Sequence, residues 1–89
     1  MASVIVTLPN VLTRLFPGCA RRMELPAATV GEAIDALEAR WPGMRDRLCD
    51  SSPAIRRHIN IFVDGERATL KTRLAAGAEI LVMTAISGG

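Results

Sequence analysis

The sequence predicts an α+β domain, a sheet of four to five strands packed on one main helix, with a short second helix. Three observations carry this. Strand-like runs rich in Val and Ile lie over 3–8, 58–63 and 79–83. One amphipathic stretch with a capping signature begins at Thr29. Asp64-Gly65 separates two strand-like runs as a two-residue hairpin does. The resulting order is strand, strand, helix, strand, short strand, strand. A single helix must cover one face of the sheet to bury its apolar stripe.

The elements follow in order. Ser3 to Leu8 is β-branched and fits a strand, which Pro9-Asn10 interrupts. Pro17-Gly18 marks a turn, and residues 21–25 pair back as a second strand with Met23 and Leu25 near the core. Pro26 closes it. In Thr29-Val30-Gly31-Glu32 the threonine caps the helix while the glutamate reaches back. Val30, Ile34, Leu37 and Trp41 then fall on one helical face, and Pro42-Gly43 ends the run. Met44 and Leu48 seat the short second helix. His58 to Val63 forms the next strand, residues 66–69 a short return strand, and Glu79 to Met83 the last, with Leu70 and Leu74 anchoring the crossing loop. The last strand is expected beside the first, inside the sheet.

Composition narrows the function. With 89 residues there is chain for one core only, expected over 1–83, followed by a flexible tail, 84–89. A formal charge of +2 and scattered arginines point to solvated faces and away from nucleic acid. Cys19, Cys49 and the lone His58 are too few to build a zinc or iron–sulfur site, so no metal is expected. His58 lacks a nucleophile and an orienting group and is assigned a structural or surface role. The two cysteines are taken as buried or incidental thiols. The N-terminal residues show no signal peptide, and no apolar run is long enough to span a membrane. A cytoplasmic protein with reduced thiols is expected.

The chain closes on Gly88-Gly89, six residues after the last strand. At average glycine usage this arises by chance in roughly one chain in two hundred. Glycine has no Cβ, so such an end can thread a channel too narrow for other residues. The terminal carboxylate itself is therefore the expected working group.

Three segments together carry a resemblance over essentially the whole chain. They are Asn60-Ile61-Phe62-Val63-Asp64-Gly65-Glu66, Leu74 followed by Gly77-Ala78-Glu79-Ile80, and Ala85-Ile86-Ser87-Gly88-Gly89. In these the sequence resembles the ubiquitin-like sulfur carriers of the MoaD/ThiS family. The resemblance implies a β-grasp (ubiquitin-like) fold with a mixed sheet. It implies a carrier that is not an enzyme and binds no cofactor, with ATP consumed by a partner of the ubiquitin-activating type. That adenylating and sulfur-transferring partner would convert Gly89 to an acyl-adenylate and then a thiocarboxylate. Gly88, Ser87 and Ile86 would lie extended in its channel. A sulfur-accepting synthase is the second implied partner, and a metalloprotease that processes adducts is a third; nucleic acid and membrane are not among them.

Strand alternation turns Ile61, Ile80 and Val82 toward the helix and Phe62, Leu81 and Met83 to the opposite sheet face. These three form a candidate partner patch, with coverage by loops or a second copy as the plainer reading. The span from Pro42 to Arg57 looks more like carriers that feed cysteine or related amino-acid synthesis. The small subunit of molybdopterin synthase is the alternative, although Thr84-Ala85 stand where that subunit commonly has proline. An alternative of another class is a ubiquitin-like modifier that joins Gly89 to lysines of other proteins.

Overall fold

In the computed structural model, which describes residues 3–51 and 54–84, the alternating runs become strands whose every second residue is buried. β1 (Ser3–Thr7) buries Val4 and Val6, β3 (Ile59–Val63) buries Ile59 and Ile61, and β5 (Glu79–Thr84) buries Ile80 and Val82. β2 (Arg22–Pro26) contributes Leu25, and β4 (Glu66–Arg67) is a two-residue edge. The sheet order is β2-β1-β5-β3-β4, mixed because β1 and β5 run parallel while the other pairs are antiparallel. The last strand thus lies between the first and the third, as the sequence led us to expect.

Among the described residues three helices accompany the sheet: α1 (Asn10–Leu15), α2 (Val30–Arg40) and α3 (Met44–Leu48). α2 is the main one and turns Val30, Ala33, Ile34 and Leu37 into the core. Thr29 caps it, its Oγ1 accepting from the Glu32 N–H at 3.2 Å. The Glu32 carboxylate reaches one residue further back than a strict capping box and accepts from the Ala28 N–H at 2.9 Å. The next two N–H groups, of Val30 and Gly31, donate to the carbonyls of Thr72 and Leu70 at 3.0 and 2.9 Å. The crossing loop therefore satisfies the start of the helix.

Trp41 precedes a proline and leaves the helical conformation (φ −133°, ψ 86°), which ends α2, its N–H bonded to the Leu37 carbonyl. α3 is capped from α2: the Glu38 carboxylate accepts from the N–H groups of Gly43 (3.1 Å) and Arg45 (2.9 Å). Met44 and Leu48 then enter the core fully buried. At the hairpin, Asp64 and Gly65 both have positive φ, 49° and 88°, as a turn of this hand demands. Among the described residues no polar or charged side chain is buried, so the core is wholly aliphatic apart from Met44 and Cys49.

Beyond one-residue shifts at several strand ends, three departures from the sequence reading stand out. α1 was not foreseen: the stretch after Pro9 forms a six-residue helix, with Leu12 buried, where a plain interruption was expected. The return strand covers only Glu66–Arg67, although the Ala68 N–H still donates to the Ile61 carbonyl at 2.8 Å. β5 extends to Thr84, which the sequence placed in the tail, because Thr84 still pairs with Ile59.

Candidate functional site

Gly89, Gly88, Ser87 and Ile86 lie outside the described residues. What the structure describes is the platform that carries them. β5 is bonded on both sides, Ile5 to Thr7 of β1 facing Glu79 to Leu81, and Ile59 to Val63 of β3 facing Thr84 to Ile80. Thr84 closes the longer ladder against Ile59. The chain therefore leaves from the middle of the sheet and not from an edge.

The sheet face turned away from α2 bears the predicted patch. Leu81 and Met83 are 41% and 46% exposed, and Phe62, directly across the ladder from Leu81, is half-buried. These side chains share one face because successive residues of a strand point to opposite sides. Thr7 continues the row on the other flank of Leu81, and Asn60 lies opposite Met83. Charged groups border the strip. Arg22 Nη2 meets Glu79 Oε1 at 3.3 Å on one side, and Arg67 Nη2 donates to Asn60 Oδ1 at 2.9 Å on the other. An apolar centre with a polar rim is the anatomy of a docking surface.

α1 adds residues that sequence reasoning missed. Val11 and Leu15 are the other large apolar side chains exposed among the described residues, at 49% and 46%. β1 and β5 run parallel, so the helix that follows Thr7 stands at the same end of the sheet as Thr84. Their i, i+4 spacing was the available signal.

The other singled-out residues stay outside this arrangement. Cys49 is buried and Cys19 half-buried. Desolvation pushes both thiols above their ordinary range, and at Cys49 the nearby Arg45 only partly offsets it. Both remain protonated near neutrality, the unreactive form. His58 is exposed in the turn before β3. Among the described residues no cluster of His, Cys, Asp and Glu is suited to a metal ion, and no helix is long and apolar enough to cross a membrane.

Comparison with known proteins agrees on one family. The sequence profile of the ThiS family matches residues 13–89. The sulfur carrier protein CysO of Mycobacterium tuberculosis is 33% identical over 98% of this chain and 99% of its own. Small archaeal modifier protein 1 of Haloferax volcanii is 39% identical over 70% of this chain and 71% of its own. In three dimensions, a chain of the BexX/CysO complex of Amycolatopsis orientalis superposes with a TM-score of 0.86 at 31% identity, covering 97% of this chain and 99% of that one. A ubiquitin-like β-grasp domain with this profile and these relatives belongs to the ThiS family.

Proposed function

We propose that the chain is a sulfur carrier whose working group is the carboxylate of Gly89. The observation that supports this most strongly is the end-to-end likeness to a sulfur carrier protein, which extends through the residues that precede the diglycine. A terminal carboxylate has a pKa of about 3.5, so near neutrality it is an anion and a poor electrophile. Its oxygen attacks the α-phosphorus of ATP on a partner enzyme and expels pyrophosphate. Sulfide then attacks the acyl carbon and AMP departs, leaving a thiocarboxylate. The carrier binds no cofactor; the partner supplies ATP and the catalytic groups.

In this reading Gly88, Ser87 and Ile86 occupy the partner's channel, and the face of Phe62, Leu81 and Met83 docks the domain. The thiocarboxylate serves a synthase of cysteine or related amino-acid synthesis, and a metalloprotease removes adducts. The test is intact-mass and peptide analysis of the protein from its own cells. An oxygen-to-sulfur increment confined to the C-terminal peptide is the expected result. Its absence under sulfur-replete growth overturns the proposal.

A second reading has its own support, since a relative 39% identical to this chain is named a modifier protein. The same acyl-adenylate could pass to a lysine amine and give an isopeptide. C-terminal segments of this chain joined by isopeptide bonds to lysines of other proteins, without the sulfur increment, favour that reading.

A further inference from the structure

Between the segment that leads into β3 and the segment that leaves β4 lies an open groove of about 580 Å³. Its floor is apolar, with Ile55 and Leu70 half-buried against the core on either side of buried Ala68. Its rim carries Arg56, Arg57, Arg67 and Lys71, four of the chain's eleven Lys and Arg residues. None of the Asp or Glu among the described residues lines it. Charge is thus segregated here, on a chain whose formal net charge is only +2.

Two of these cations are held in place. Arg56 Nε donates to the Asp46 carbonyl at 2.6 Å, and Arg67 Nη2 to Asn60 Oδ1 at 2.9 Å. Arg57 and Lys71 are exposed and form no ion pair with a described residue. The shortness of β4 keeps the groove open. Past the bond from Ala68 to Ile61, the start of β3 is flanked by the groove and not by a strand.

We infer that this groove docks an extended acidic segment of a partner protein. An apolar side chain of that segment rests on Ile55 and Leu70, and its carboxylates meet Arg57, Arg67 and Lys71. Guanidinium groups suit carboxylates through paired N–H donors, and an apolar floor gives the segment an anchor that bare charge does not. Nucleic acid is the poorer fit, because among the described residues no aromatic ring lines the groove to stack a base. The inference goes beyond the carrier reading: the groove belongs to the folded domain, whatever chemistry occurs at Gly89.

The test uses the full chain, isotopically labelled, titrated with a synthetic peptide alternating glutamate and leucine. Amide shifts are expected at Ile55, Ala68 and Leu70. The combined change Arg57→Glu with Lys71→Glu should weaken binding at least about ten-fold, as should a rise from low to high salt. Both residues are exposed, so the double variant keeps the native spectrum, and Lys71→Arg retains binding. Shifts confined to Leu81 and Met83, no binding, affinity indifferent to the charge reversal, or tighter binding of a single-stranded oligonucleotide each overturns the inference. None of these outcomes depends on adenylation, so the carrier reading stands or falls separately.

Discussion

The N–H of Gly31 donates to the Leu70 carbonyl at 2.9 Å, and a Cβ placed on Gly31 would lie 3.2 Å from that same oxygen. Helix and crossing loop meet here backbone to backbone, and a side chain at Gly31 would press on the loop. Gly31→Val is therefore expected to force the two apart and destabilise the fold by about 1–3 kcal/mol. Urea denaturation measures it; an unchanged midpoint contradicts the close approach.

Glu38 joins α2 to α3 by accepting from Gly43 and Arg45. Glu38→Ala leaves those two N–H groups without their acceptor and should cost about 0.5–2 kcal/mol. Glu38→Gln keeps one acceptor oxygen and should cost less. Hydrogen exchange at the Gly43 and Arg45 amides, faster in the alanine variant, separates this from a general loss of stability.

Leu81→Glu tests the sheet face. The residue is 41% exposed, so stability should change by no more than about 0.5 kcal/mol. Pyrophosphate release by the proposed activating partner should fall at least about ten-fold, the loss expected when a charge enters the apolar centre of an interface. Wild-type rates in this variant remove Leu81 from the docking surface.

Deleting Gly89, or replacing Gly88 with Trp, should abolish adenylation while the denaturation midpoint stays that of the parent chain. Either variant adenylated at the parent rate would exclude terminal threading.

Burial raises the Cys49 thiol above its ordinary 9.0. The folded chain then keeps a proton that the unfolded chain gives up, so the unfolded state binds fewer protons at high pH. Stability is full below the ordinary thiol value and falls as pH rises through the folded one. Denaturation midpoints measured from neutral to alkaline pH should show this slope, and Cys49→Ala should flatten it. Parallel curves contradict the assignment.

The strands and main helix were legible because their signals are local and repeated. Val4 and Val6, Ile59 and Ile61, and Ile80 and Val82 each alternate with less buried neighbours. Thr29 with Glu32, and Asp64 with Gly65, punctuate the chain where the backbone needs them. α1 escaped because six residues give too few turns for periodicity, and only Leu12 is buried. With α1 went Val11 and Leu15. The cationic groove was illegible for another reason: Arg56 and Arg57 meet Arg67 and Lys71 only after the sheet folds, and along the chain they look like scattered surface charges.

The placement of β5 has a mechanical consequence. Ser3 and Thr84 lie at opposite ends of two neighbouring parallel strands. A pull on the C-terminal end against an anchored N-terminal end therefore slides β5 along β1 and β3, straining many backbone bonds at once. A force applied across the strands would instead break those bonds one at a time. Force entering through Thr84 is thus shared by the two ladders of β5.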